Sequence, residues 1–135
     1  MAAYPLMTNR VCVDRAITLR SVNGSEVTVI QGYQVPGQLV GDGAIRCAYV
    51  TNGAALSGFT LASGSTGYPG DYWWPDEGGC GGGVYAEPTN AVITNCTITG
   101  NVTPGCGGGG LRWNVVELQT DKQFRDTGAG WWRRL

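Results

Sequence analysis

The sequence predicts an all-β fold in which short strands stack as a solenoid, and three observations predict it. Apolar–Thr–apolar triplets recur at Ile17-Thr18-Leu19, Phe59-Thr60-Leu61 and, as Cys-Thr-Ile, at Cys96-Thr97-Ile98. A Gly-Cys-Gly-Gly-Gly run occurs twice, at 79–83 and at 105–109. Within the repeated units the apolar residues alternate with period two, which is typical of strands, and no eleven-residue window before residue 111 shows a helical period.

Each repeated unit is too small to bury its own apolar face, so we expect about three to four coils of parallel strands stacked about 4.8 Å apart. The Asn and Gly residues that close the units predict turns with positive φ, and the Gly-rich runs predict close approach of neighbouring backbones. A β-sandwich is the competing architecture, but it predicts neither the repeated Gly-rich run nor the recurring unit of a strand closed by Asn or Gly. The side chains predicted to form the interior columns are Val11, Val13, Ile17, Leu19, Val27, Val29, Ile45, Val50, Leu56, Phe59, Leu61, Val84, Val92, Cys96 and Ile98.

The segments 17–24, 53–61, 81–85 (Gly-Gly-Gly-Val-Tyr) and 95–101 (Asn-Cys-Thr-Ile-Thr-Gly-Asn) resemble right-handed parallel β-helix repeats. Such repeats occur in large bacterial surface or secreted proteins with a pectin-lyase-like fold, among them polymorphic outer-membrane and adhesin-type proteins. The resemblance implies a short right-handed parallel β-helix, cut from a larger secreted or cell-surface parent. It does not imply one activity, because that fold carries adhesins, lyases, hydrolases and passive stalks.

The composition changes at residue 110, and we predict a domain boundary there. Residues 1–110 hold four basic and seven acidic residues and 21 glycines, whereas residues 111–135 hold five basic and three acidic residues and two glycines. We therefore divide the chain into β-helix repeats (1–110) and a non-repeat tail (111–135). Back-translation of residues 111–125 permits a neighbouring reading frame in which the tail continues the repeat. We therefore hypothesise that the tail is read out of frame. Codons in the coding DNA that are incompatible with that repeat would refute the hypothesis.

Charge and residue usage exclude several classes of function. The formal net charge is −1, so we expect neither nucleic-acid nor membrane-surface binding. Histidine is absent, which removes the commonest general base and the commonest metal ligand. No apolar run is long enough for membrane insertion, and residues 1–10 lack the pattern of a signal peptide. We predict no cofactor and no metal.

The stretch 71–77 is the candidate ligand-binding segment, because it combines aromatic and acidic side chains between two repeats. Exposed tryptophans can stack on sugar rings while carboxylates accept hydroxyl hydrogen bonds. The alternative is that the aromatic side chains fold back and cover one side of a coil. The candidate carbohydrate-binding residues are Asp71, Tyr72, Trp73, Trp74, Asp76 and Glu77.

We predict no catalytic residues. A glycosidase needs two carboxylates across the sugar, but only Asp76-Glu77 forms a pair in sequence, and no acidic cluster lies near Arg46, the one basic residue well inside the repeats. The five cysteines contain no C-x₂-C pair. We interpret them as small buried residues in the columns; a disulfide between Cys80 and Cys106, which hold the same place in the two Gly-rich runs, stays open.

We therefore expect a non-catalytic scaffold or adhesin-type piece of a bacterial repeat protein. The alternative is a carbohydrate-binding or polysaccharide-cleaving module that uses the 71–77 segment. A polysaccharide is the expected ligand. Because the ends of a solenoid present unpaired strand edges, we also expect homo-oligomers that form through those ends.

Overall fold

The computed structural model describes residues 2–3, 8–67, 81–86, 90–103, 111–112 and 117–119. Within these ranges the chain forms strands and no helix, so the predicted all-β class is confirmed. Every strand pair is parallel except the first, in which Ala2–Ala3 runs antiparallel to its neighbour. Parallel pairing does not fit the β-sandwich that the sequence left as an alternative, because the sheets of a sandwich are antiparallel.

The strands are, in chain order, β1 (Ala2–Ala3), β2 (Thr8–Val13), β3 (Thr18–Arg20), β4 (Val29–Gln31), β5 (Ile45–Val50), β6 (Ala55–Ser57), β7 (Thr60–Ala62), β8 (Val84–Ala86), β9 (Val92–Thr94), β10 (Thr97–Thr99), β11 (Leu111–Arg112) and β12 (Glu117–Gln119).

These strands form three sheets that the chain visits in rotation. The first sheet has the order β1-β2-β5-β8-β11, the second β3-β6-β9-β12 and the third β4-β7-β10. We call β2–β4 the first pass, β5–β7 the second and β8–β10 the third; β11 and β12 continue the first and second sheets. Three parallel sheets visited in this order are compatible with a parallel β-helix.

The pairing register shows that equivalent residues of successive passes are 37 residues apart in the second sheet. Thr18 faces Ala55, and Ala55 faces Val92. The third sheet confirms the predicted alignment of the second and third repeats, because Thr60 faces Thr97. The predicted alignment of Ile17-Thr18-Leu19 with Phe59-Thr60-Leu61 is wrong, since the two triplets belong to different sheets.

The interior consists of apolar columns that run through the passes. In the second sheet Leu19, Leu56 and Ile93 stack in register, and in the third Ile30, Leu61 and Ile98 do so. Side chains at period two from both sheets therefore meet in one core. The residues of this core are Val13, Ile30, Cys47, Ala48, Val50, Ala54, Leu56, Phe59, Leu61, Val84, Ala86, Ala91, Ile93, Cys96 and Ile98.

Three residues predicted as interior are exposed: Ile17, Val27 and Val29. In β4 the alternation has the opposite phase, so that Ile30 points inward and Val29 is 56% exposed. In β9, Ile93 is likewise fully buried, whereas Val92, which was predicted to be interior, is only half-buried. Where consecutive residues are both β-branched and apolar, period two fits either phase, and packing against the adjacent pass decides between them.

The turns between the second and third sheets begin with Gly or Asn in the second and third passes. Gly58 has φ 85° and Asn95, one pass later, has φ 51°, in the left-handed region that these two residue types tolerate. Both turns need only two residues, Gly58-Phe59 and Asn95-Cys96. At the residues that close the predicted repeats, positive φ is found at Gly24 (89°) and Gly100 (65°), whereas in the second repeat Ser63 (56°) adopts it in place of Gly64.

Glycine is also required where backbones of successive passes touch. A Cβ built on Gly64 would overlap the carbonyl oxygen of Gly82 and lie 2.8 Å from the Cys47 sulfur. A Cβ on Gly32 would overlap the Gly64 Cα. This confirms that the second half of the run 79–83 lies at a close backbone approach.

Two short strands fall within the segment predicted as a non-repeat tail. In β11, Leu111 pairs with Val84, and in β12, Leu118 pairs with Ile93. Residues 113–116 and 120–135 lie outside the described residues. The boundary at residue 110 and the out-of-frame hypothesis stay predictions.

Candidate functional site

The segment that the sequence singles out for ligand binding falls outside the part of the chain that the structure describes. This applies to Asp71, Tyr72, Trp73, Trp74, Asp76 and Glu77, and equally to Cys80 and Cys106. The segment belongs to the connection between β7 and β8, which runs from residue 63 to 83. Its role as a saccharide platform stays a prediction.

Arg46 in β5 is a fully buried cation. Its Nε donates to the carbonyl oxygen of Gly81 at 3.0 Å, and its Nη1 donates to the Asn9 Oδ1 at 3.0 Å. The guanidinium carbon lies 5.2 Å from the centre of the Tyr85 ring, within the range of a cation–π contact. These contacts join the first pass to the third across β5, so Arg46 stabilises the fold and is not exposed to a dissolved substrate.

A stacked tyrosine pair lies on the same side of the first sheet. The rings of Tyr49 and Tyr85 are parallel, with 5.4 Å between their centres, and Cys12 packs against them. Tyr49 is 1% and Tyr85 7% exposed, so both faces of the first sheet are covered at this level. Buried rings cannot stack on a sugar, so we assign this tyrosine pair a structural role.

The described carboxylates are spread over separate connections. Asp14 lies between β2 and β3, Glu26 between β3 and β4, and Asp42 between β4 and β5, and all three are exposed. The ion pair of Asp14 with Arg15, at 3.5 Å, lies in solvent and contributes little. Within 8–67, 81–86 and 90–103, no three side chains among His, Cys, Asp and Glu come together as a metal site.

The described thiols are free, and two of them are buried. Burial raises the pKa of Cys47 to about 12 and also raises the pKa of Cys96. The Cys47 thiol donates to the Ala62 carbonyl oxygen at 3.2 Å. Because the thiolate is the reactive form, these cysteines are inert at neutral pH, and the interpretation of Cys96 as a buried column residue is confirmed.

A groove of about 290 Å³ opens at the corner between the second and third sheets, and we call it the corner groove. Its lining comes from all three passes: the β3–β4 connection, the turn after β6, and the turn after β9 together with the start of β10. The lining residues are Asn23, Gly24, Ser25, Glu26, Gly58, Asn95, Cys96 and Thr97. Sequence reasoning missed this groove, although a 37-residue alignment would show that the first pass has six extra residues here.

A second groove, of about 520 Å³, lies at the first-pass end of the stack, and we call it the end groove. Val11 of β2 and Ile30 of β4 form its apolar part, and Arg10, Gln31 and Tyr33 line its polar part. The Arg10 Nε donates to the Gln31 carbonyl oxygen at 2.8 Å. This hydrogen bond satisfies one backbone acceptor of the edge strand β4.

Comparison with known proteins adds no relative: no protein-family model matches the chain, and neither a curated protein nor a solved structure is significantly similar to it. In the described part of the chain no helix has the length and apolarity to cross a membrane.

Proposed function

We propose that the chain is a right-handed parallel β-helix of three to four coils that acts as a non-catalytic, adhesin-type scaffold in a bacterial secreted or cell-surface repeat protein. One observation carries the proposal: in the second sheet the interior column repeats at a spacing of 37 residues through the three passes, at Leu19, Leu56 and Ile93. In a solenoid each coil packs on the next in the same way, so repetition produces an elongated molecule with a large outer surface. The repeat resemblance of 95–101 supplies the bacterial surface context.

The chemistry of the described side chains supports a scaffold over an enzyme. The buried Arg46 is bound by Asn9 and the Gly81 carbonyl, and the raised pKa values of Cys47 and Cys96 keep these thiols unreactive. The corner groove is lined by one carboxylate, Glu26, and the end groove by none, whereas a glycosidase places two carboxylates across the sugar.

A cleavage assay tests the proposal against the polysaccharide-cleaving alternative. The purified chain is incubated with neutral and acidic polysaccharides, and reducing ends and the absorbance of unsaturated products are followed. We expect no product above that of the heat-denatured chain. Product that persists through purification and disappears in an Asp76→Asn/Glu77→Gln variant would contradict the scaffold and favour an enzyme that uses the 71–77 segment.

We also propose that the scaffold assembles through its open end. β3 and β4 are edge strands of the second and third sheets, and edge strands present unpaired backbone groups. The exposed large hydrophobic residues of the described ranges all belong to the first pass or to its connection to β5. They are Ile17, Val22, Val27, Val29, Tyr33 and Leu39. A second copy that stacks on this end would continue the columns and cover the end groove.

Light scattering tests the assembly. We expect a mass above that of one chain that rises with concentration, because head-to-tail stacking does not close. Lysines at Val29→Lys/Gln31→Lys place two like charges on the β4 edge and should return the monomer. The control is Ala55→Lys/Ser57→Lys, which adds the same charge on β6, an inner strand of the second sheet, and should still assemble. A wild-type monomer at every concentration would refute the proposal.

A further inference from the structure

We propose that the corner groove binds a neutral, hydroxyl-rich ligand, namely one ring of a saccharide. This assigns the scaffold a second surface, distinct from the 71–77 segment. It adds a ligand site to the adhesin-type function proposed above, yet its evidence is independent of that proposal.

The groove exists because the first pass turns the corner differently from the later passes. The β3–β4 connection has eight residues, 21–28, where Gly58-Phe59 and Asn95-Cys96 suffice in the second and third passes. The six extra residues lie over the two tight turns, which form the other side of the groove. In repeat proteins, an insertion in one repeat commonly carries the binding surface.

Hydrogen bonds hold this insertion in place from both ends. The Ser21 hydroxyl donates to the Gly58 carbonyl oxygen and accepts from the Gly24 N–H at 3.1 Å. The Thr60 hydroxyl donates to the Ser25 carbonyl oxygen at 2.6 Å. Within the insertion, the N–H of Thr28 donates to the Gly24 carbonyl oxygen at 3.1 Å. A segment fixed in this way loses little conformational entropy when a ligand binds.

The lining has the mixed donors and acceptors that sugar hydroxyls need. Asn23 and Asn95 each offer an amide that both donates and accepts, Ser25 and Thr97 offer hydroxyls, and Glu26 offers a carboxylate acceptor. Asn23, Glu26 and Asn95 are exposed. The β3–β4 connection and the third-pass turn therefore present hydrogen-bonding side chains to one space from two sides.

The charge of the lining selects among ligand classes. Among the described lining residues there is one carboxylate and no basic side chain. A phosphate or an acidic sugar would lie beside the Glu26 carboxylate in a groove whose lining offers it no basic side chain, and a calcium ion would find one carboxylate where several oxygen ligands are needed. The volume of about 290 Å³ lies at the lower end of the range of small-ligand sites, which fits one ring.

Asn95 provides the sharpest test residue. It has φ 51°, at the position that Gly58 occupies with φ 85° one pass earlier. Glycine therefore satisfies the backbone of this turn, and Asn95→Gly removes the amide without straining the turn. Glu26→Gln keeps the shape of its side chain and removes only the charge.

The experiment screens the full chain on an array of immobilised neutral and acidic oligosaccharides and titrates the dissolved hit by calorimetry. We expect a neutral glycan to bind, and Glu26→Gln and Asn95→Gly each to weaken it about tenfold. The control is Asp42→Asn, an exposed carboxylate in another connection, which should bind as the wild type does. Thermal unfolding should be equal in Glu26→Gln, Asn95→Gly and Asp42→Asn. Trp73→Ala/Trp74→Ala is measured beside them to separate binding at the corner groove from binding at the 71–77 segment.

Each other outcome overturns the inference. No binding on the array refutes it, as does binding that is lost in Trp73→Ala/Trp74→Ala and kept in Glu26→Gln and Asn95→Gly. A preference for acidic glycans refutes the assigned ligand class. The scaffold proposal fails by a different result, the release of polysaccharide products, so the two failures are distinguishable.

Discussion

Gly64→Ala is expected to destabilise the fold by about 3 kcal/mol or more, a large part of the stability of a small domain. The new methyl group would overlap the Gly82 carbonyl oxygen, which is backbone and cannot rotate away, and would press on the Cys47 sulfur. Relief requires the second and third passes to separate, which would also break the bond from the Gly64 N–H to the Asn101 Oδ1, 2.7 Å long. Urea unfolding followed by far-UV circular dichroism measures the loss.

The matched control is Gly100→Asn. Gly100 has φ 65°, no atom lies within 4 Å of the position that a Cβ would take there, and asparagine tolerates this conformation. We expect a change of about 1 kcal/mol or less. Equal stability of Gly64→Ala and the wild type would show that the passes are not in contact at Gly82.

Arg46→Ala is expected to destabilise the fold by about 3–5 kcal/mol, for two reasons. It leaves a cavity beneath Tyr85, and it removes the donors that bind the Gly81 carbonyl oxygen and the Asn9 Oδ1 in a region without solvent access. Arg46→Lys keeps a charge but cannot form both bonds with a planar fork, so we expect an intermediate loss. Chemical denaturation again provides the measurement.

Arg20→Ala is the control for the loss of an arginine. Arg20 is exposed on the edge strand β3, so its removal should change stability by about 0.5 kcal/mol at most. If Arg46→Ala and Arg20→Ala were equally mild, the bonds across the first sheet would contribute no net stability.

Local patterns were sufficient for the class of fold and for the turns. Alternating apolar and Thr residues specify strands because strand side chains alternate between faces. Asn95 and Gly58 could be predicted as turn residues because a positive φ is a property of a single residue. The match of Phe59-Thr60-Leu61 to Cys96-Thr97-Ile98 could be predicted because the turns that precede these strands have the same length, two residues, in the second and third passes.

The corner groove and the buried cation were beyond such reasoning. Glu26 and Asn95 are 69 positions apart in the chain and meet at one groove only because β4, β7 and β10 stack. An arginine is usually exposed to solvent. Arg46 is nevertheless buried, and it donates hydrogen bonds to the Gly81 carbonyl oxygen and to Asn9. Both features depend on which strands pair.

By itself the sequence determined that this protein is built from short β-strands closed by Asn and Gly turns, because alternation and φ preference are local. Only the tertiary structure decided the 37-residue register, the inward phase of Ile30 over Val29 and the burial of Arg46. The physical reason is that a run of β-branched residues satisfies period two in either phase. The contact with the next pass then selects the phase that fills the core.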